Sequence, residues 1–386
     1  MKVLFDHQAF DMQTHGGVSR CFAELYSHRP SSLDVEISVR ETDNVYLRDL
    51  GFGRTGEIYD RFMGMGNSGL KYVLFKLAMN FEYGYYSKLD RRPRLNLYES
   101  VSRLKKQDFD VFHPTFFDGY FLNHIADRPF VITVHDMIPE LYPQYYAVDD
   151  IQILQKKAVI PKAAHIVTVS EQTKKDLVRM MNIPENKVSV VYHGADEEPY
   201  VRSEQVQRDY EYILYVGERH FYKNFASFSR DCIPILKRHR DLKVICTGMP
   251  FTSEELYFFD VYGMKDRFVH VFAKTKQELL DLYHDAVAFV YPSEYEGFGI
   301  PILEAYRAGC PVMLNRSSCF PEIAGDAAVY FRMNRNTSDF EEQFETLYRM
   351  DSNDRALLLD RQKERLKMYS WKKSAQALAD VYAGLK

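Results

Sequence analysis

The apolar positions of this chain fall into short dense runs set apart by polar turns, most of them too brief for helices. Lys2 to Phe5, Val35 to Val39, Val111 to Pro114, Phe130 to Val134, Ala164 to Ser170 and Val188 to Tyr192 read as strands. The rhythm resumes with Tyr212 to Val216, Leu242 to Cys246, Phe268 to Ala273 and Ala286 to Tyr291. Helical stretches lie between them, such as those through Phe22, Leu25 and Tyr26 and from Leu279 to Asp285. Strands alternating with helices predict an α/β protein with doubly wound sheets. A polar, charged stretch interrupts the pattern near its middle. It predicts an N-terminal domain over 1–197, a linker over 198–211, a second domain over 212–365 and a terminal helical segment over 366–386.

Turn and cap residues sharpen these elements. Ser170 or Thr173 can cap a helix, and Thr275-Lys276-Gln277-Glu278 has the spacing of a capping box. Pro301 fits a first helical turn and Gly309 the position just past the end. The stretch from Pro292 to Ala305 thus reads as a strand exit, a glycine loop and a helix start, with Glu296 in the loop and Glu304 about one turn inside. Gly297, Phe298 and Gly299 lie between the two acids, and the glycines let the backbone pass close to a ligand. A helix N-terminus attracts anions. Two carboxylates beside such a site suit a ligand that carries both phosphate and sugar hydroxyls, as a nucleotide sugar does.

Other candidates sit at strand ends. Gly16 and Gly17 follow the first strand and precede a helix, an arrangement that either cradles a phosphate or makes a plain tight turn. His135 follows the strand Phe130 to Val134. Arg219 and Lys223 stand four apart after Gly217, so both could reach one diphosphate. Cations are disfavoured at a helix start, which calls for another reason for their presence.

Composition narrows the setting. At 386 residues the chain has room for two domains, and a formal net charge of −4 gives no reason to expect a nucleic-acid partner. Five scattered cysteines without a C-x-x-C spacing predict free thiols and a reducing, cytoplasmic setting. No apolar run approaches the ~20 residues of a spanning helix, and Asp6 arrives too early for a secretory leader.

The string E-G-F-G-I-P-I-L-E-A from Glu296, followed by Ala308-Gly309-Cys310-Pro311-Val312, resembles the signature of the family-4 retaining glycosyltransferases of GT-B fold. The resemblance implies two Rossmann-like domains facing a cleft, and transfer of a hexose, with mannose a candidate, from a nucleotide-diphosphate sugar. It implies a glycan or lipid-linked acceptor in polysaccharide or lipopolysaccharide assembly. It assigns ribose hydroxyls to Glu304, the donor sugar to Glu296, and the leaving diphosphate to Arg219 and Lys223, which stand in for a metal, so that no cofactor is expected. Gly16 and Gly17 would face the diphosphate, the turn Phe272-Ala273-Lys274 would receive the base, and His135 in T-V-H-D would contact the donor sugar or the departing phosphate. Tyr369-Ser370-Trp371 and the helix after it resemble the family's C-terminal helix, which packs back on the first domain.

Several strings point elsewhere. Gly51-Gly53-Gly56 and Gly64-Gly66-Gly69 match G-x-G-x-x-G, but neither follows a buried strand, so they read as loop glycines rather than a dinucleotide site. Asp108-Phe109-Asp110 matches a metal-binding D-x-D but reads as a strand entrance. The apolar stretch Leu70 to Tyr86 precedes Lys88, Arg91, Arg92, Arg94, Arg103, Lys105 and Lys106; it either packs on the first sheet or lies peripherally on an anionic membrane. Rival functions are a GT-B nucleotide-sugar epimerase, a non-catalytic partner of another transferase and an NAD-dependent dehydrogenase.

Overall fold

A computed structural model describes residues 1–53, 91–147, 149–203, 208–219 and 221–385. The expected apolar stretch Leu70 to Tyr86, Lys88, the string Gly64-Gly66-Gly69 and Gly56 lie outside the described residues.

In the first half, β1 (Lys2–Phe5), β2 (Asp34–Ile37) and β3 (Val111–His113) pair in parallel in the order β2-β1-β3. β4 (Val131–Val134), β5 (His165–Thr168) and β6 (Val188–Val190) form a second parallel set in that order, and a bridge from Phe112 to Phe130 joins the two. In the second half, β7 (Glu211–Tyr215), β8 (Leu242–Cys246), β9 (Phe268–His270), β10 (Ala288–Tyr291), β11 (Val312–Asn315) and β12 (Val329–Phe331) make one parallel sheet in the order β12-β11-β10-β7-β8-β9. Every residue of β4, β10 and β11 is buried, because helices cover both faces of a parallel sheet.

Two strands stop sooner than their apolar runs. Ile37 pairs with Phe5, the last residue of β1, and His270 pairs with Cys246, the last of β8. Each strand ends where its neighbour can no longer offer backbone partners.

The topology sets the site. From β7 the chain builds outward through β8 and β9, then returns to the other side of β7 for β10, β11 and β12. The carboxyl ends of β7 and β10 therefore flank a switch point, where the crossovers diverge and leave a crevice. Arg219 and Lys223 follow β7, and Glu296 follows β10.

Caps hold the helices around it. Ser170 Oγ accepts from the Thr173 amide and starts the helix Glu171–Met181. Thr275 caps Lys276–Asp285 by accepting from the Glu278 amide, but the expected box is not reciprocal: the Glu278 carboxylate accepts from the Lys274 amide at 2.7 Å. A complete capping box does form at Thr252 and Glu255.

The final helix, Trp371–Ala383, packs on the first half. Trp371, Ala375, Leu378 and Tyr382 recur on one face and join Val3, Phe5 and Cys21 in one core. The Tyr382 hydroxyl lies 2.6 Å from His113 Nδ1. A Cβ on Gly194 would stand 2.1 Å from the Trp371 amide nitrogen, so this crossing requires glycine.

Candidate active site

Glu296 and Lys223 meet at the switch point, with Nζ 2.7 Å from Oε1. Both side chains are mostly shielded, Lys223 at 17% and Glu296 at 11% exposure, so their attraction is stronger than that of a surface pair. The Lys223 ammonium also lies over the Tyr222 and Tyr291 rings. The glutamate loop is clamped along its backbone: Ser318 Oγ donates to the Glu296 carbonyl, and the Asn315 amide group donates to the carbonyls of Pro292 and Ser293. Asn224 holds Pro292 from the β7 side. Phe221 and Asn224, on either side of Tyr222 and Lys223, both have positive φ, a strained backbone of the kind that collects at functional sites.

Gly299 has φ +98° and opens the helix Ile300–Ala308, with Pro301 in its first turn and Gly309, at φ +70°, closing it. Phe298 is buried, with its ring against His193 and Tyr192 of the first half at 5.0 and 6.3 Å. Glu304 lies on this helix, and its Oε1 accepts from Arg20 Nη1 at 2.9 Å. Arg20 belongs to the helix Gly17–Ser27 of the other lobe, just past the first glycine loop. A Cβ on Gly17 would lie 3.8 Å from Ile300, so the two glycine loops face each other across the cleft. Gly16 is extended, and a Cβ there would meet the side chain of Gln13. Asp196 completes the cluster, accepting from Arg20 and Arg307 and pairing with Lys276. Burial alone would raise the Asp196 pKa; the three cations outweigh it and hold the carboxyl below its usual range.

Arg219 does not join Lys223. Its guanidinium is fixed by Glu255 (Nε to Oε1, 2.9 Å) and by the carbonyls of Met249 and Pro250, each at 2.7 Å. The four-residue spacing does not by itself bring the two cations together: the Thr252–Glu255 cap supplies a carboxylate that draws Arg219 toward the end of β8. Lys274 is exposed beyond β9, with its amide occupied by Glu278. Asp110 accepts from the Lys2 amide and Asp108 pairs with Lys2, which makes the D-x-D string a strand entrance. Among the described residues no group of three or more His, Cys, Asp and Glu side chains could hold a metal. Of the basic run, Arg92 pairs with Asp43 and Arg103 with Glu36.

His135 sits at the end of β4, stacked on His193 at 5.8 Å, and its Nε2 is buried without a partner. Behind it, the buried Lys156 donates to the Asp136 carbonyl and to Glu140. Burial pushes the His135 pKa down to about 4 and that of His113 to about 3, and it lowers that of His193 as well. All three rings are therefore neutral at pH 7. Because the unfolded chain takes up these protons near pH 6.5 and the folded chain does not, stability is full above that pH and is lost as pH falls from 6.5 toward 4. We expect the melting temperature to drop steeply over that window, at roughly 1.4 kcal/mol per pH unit for each histidine. A flat melting profile from pH 7 to 5 would contradict the burial of these rings.

The lobes also meet above the Lys223–Glu296 pair. Tyr142 and Tyr145, after the helix Ile138–Leu141, lie 5.9 Å from Tyr222 and 4.8 Å from Phe221. The Glu322 carboxylate accepts from the amides of Glu171 and Gln172, and Ser170 Oγ donates to the Gly297 carbonyl at 2.6 Å. Sequence patterns alone do not single out Arg20, Asp196 or these aromatic contacts. The available signal for Arg20 was its place in T-H-G-G-V-S-R, immediately after the glycines.

Residues 196–365 match the family model "Glycosyl transferases group 1", and residues 80–199 match "Glycosyltransferase Family 4". The chain is 26% identical over 278 residues to O-antigen chain mannosyltransferase B of Escherichia coli, covering 68% of this chain and 72% of that one. It is 28% identical over 199 residues to O-antigen chain mannosyltransferase RfbU of Salmonella typhimurium, covering 52% of this chain and spanning about half, 55%, of that relative's length. Anabaena HepE, solved in complex with UDP and glucose, superposes with a TM-score of 0.69 at 14% identity over 99% of both chains. The fold is thus GT-B. This chain carries a family-4-like glycosyltransferase domain followed by a group 1 glycosyltransferase domain.

Proposed function

We propose that this protein is a retaining glycosyltransferase that moves a hexose from a nucleoside diphosphate sugar to a glycan or lipid-linked glycan in surface-polysaccharide assembly. Mannose is the hexose favoured by the named relatives. The observation that carries the reading is the contact of Lys223 with Glu296 at the start of the helix bearing Glu304, at the switch point of the second sheet. A diphosphate entering there would take Lys223 as its counter-ion and face the helix N-terminus, while Glu296, released from the lysine, would receive sugar hydroxyls. Glu304 would accept from the ribose. His135, with its buried Nε2 unpartnered, would meet the donor sugar or the departing phosphate.

Breaking the sugar–phosphate bond develops negative charge on the diphosphate, and Lys223 with the helix dipole opposes it in a site shielded from water. With Arg219 committed to Glu255, that charge falls on Lys223 and the backbone amides. Retention would follow a front-face route in which the departing phosphate takes the acceptor's proton. A glycosyl-enzyme adduct trapped on any side chain would rule that route out.

The test is a thermal-shift screen of UDP, GDP, ADP and their hexose conjugates. One base series should raise the melting temperature, since a ligand selective for the folded state stabilises it by RT ln(1 + [L]/Kd). No shift with any of them would sink the reading. Turnover of donor without acceptor would favour an epimerase instead. Because Lys223 is assigned the charge, EDTA should leave turnover largely intact; a complete loss restored by magnesium would overturn that assignment.

A further inference from the structure

We infer that Arg20, from the N-terminal lobe, is a positioning residue for the donor's ribose: it fixes the Glu304 carboxylate so that one oxygen is left to accept the ribose diol. The inference rests on the ribose role proposed above for Glu304, and it adds a residue from the opposite lobe to nucleoside recognition.

The arrangement is asymmetric in a way that identifies what Arg20 is for. Asp196 receives three cations: Arg20 at 3.0 and 3.2 Å, Arg307 at 2.9 Å and Lys276. Removing Arg20 would leave Asp196 still paired twice. Glu304 has no such reserve. Its Oε1 accepts from Arg20 at 2.9 Å, and among the described residues Oε2 has only the Tyr283 hydroxyl, at a long 3.5 Å. Arg20 is itself held, with 10% of its side chain exposed: Nη2 reaches both oxygens of Asp196 and Nε faces Glu24 at 3.7 Å, so Nη1 is presented to Glu304 at a fixed angle.

A glutamate's terminal torsion is broad. A carboxylate free to rotate must lose that freedom when it takes up two vicinal hydroxyls, whereas one tied at Oε1 has already done so. Oε2 is then the oxygen left underfilled. The guanidinium also balances the carboxylate, so the pocket that receives the neutral ribose carries no uncompensated charge.

The experiment is isothermal titration of the full chain with UDP, GDP and ADP, repeated for whichever binds with its 2′,3′-dideoxy counterpart. The wild type should prefer the ribo form by roughly 30-fold or more, and Arg20→Met should lower ribo affinity roughly tenfold, the loss expected for a charge-assisted bond, while leaving dideoxy affinity within about twofold. The ribo-to-dideoxy ratio should therefore collapse. Glu304→Gln should collapse it too, and the double variant should be no worse than either single one. Arg20→Lys, which can reach Glu304 or Asp196 but not both, should give an intermediate ratio and carries the same test if the methionine variant does not fold. A ratio unchanged while both nucleotides weaken equally would make Arg20 merely structural and overturn the inference alone. Tighter ribo binding in Arg20→Met would overturn it too, because Arg20 would then compete with the ribose. A wild type that binds nucleotide without preferring the ribo form, or binds none, would remove the role of Glu304 itself.

Discussion

Replacing Lys223 with alanine is expected to lower turnover by ~10² to 10⁴-fold at saturating donor, with a far smaller change in the affinity for the intact sugar nucleotide. The magnitude follows from where the charge lies. In water a single ammonium near a phosphate contributes little, but this one is 17% exposed, stands on aromatic faces and shares its crevice with a helix N-terminus. Charge on the leaving group grows in the transition state, so the loss falls on kcat more than on binding. Removing Lys223 also strands the Glu296 carboxylate, which adds a stability cost that must be separated from the catalytic one. The Lys223→Ala, Glu296→Gln double variant does this: it removes the stranded charge and should recover the melting temperature without recovering turnover. Near-normal kcat in Lys223→Ala would defeat the assignment of the leaving group to this residue.

The fold was legible because its signals are local. Apolar runs such as Phe130 to Val134 and Ala286 to Tyr291 are buried on both faces, and glycines and prolines mark where strands turn into helices. Lys223 and Glu296 were each legible from their neighbours, and the order of the strands brings them together. What could not be read was competition between distant groups. Arg219 has the same spacing to Lys223 in either arrangement, and only the turn of Ser253–Val261 toward the end of β8 delivers Glu255 to it. The glutamate of the Thr252–Glu255 capping box serves both the cap and an arginine 36 positions earlier, a double role that no local pattern reveals. Arg20 and Glu304 are 284 residues apart and belong to different lobes, so neither period nor motif links them. The strand ends predict which loops face the cleft, but not which side chains meet across it.

A close backbone approach between the lobes leads to the second large effect. Gly297→Ala should reduce turnover by ~10² to 10³-fold while leaving each lobe folded, since misplacing reacting groups by about an ångström can cost 10²-fold. Gly297 is not among the residues with positive φ, so its own backbone accepts a side chain without strain. The obstacle is entirely in the other lobe: a Cβ there would stand 1.8 Å from the His135 carbonyl oxygen. The same approach places the Gly297 carbonyl on Ser170 Oγ at the head of Glu171–Met181, so an added methyl group must push apart both contacts. Lys223 and Glu296 would stay paired within their lobe, but His135 and Arg20 would withdraw from them. Gly299→Ala is the contrasting variant. At φ +98°, and with Ile302 and Phe320 at 3.1 and 3.3 Å from the new Cβ, it strains the loop inside one lobe and should lower the melting temperature directly. The two glycines, two positions apart, should therefore separate in their readouts. Gly297→Ala should keep a near-native melting temperature, lose no more nucleoside diphosphate affinity than the roughly tenfold expected of Arg20→Met, and show a larger radius of gyration by X-ray scattering with donor bound. Full turnover in Gly297→Ala would mean that the reaction does not require the lobes to meet at His135.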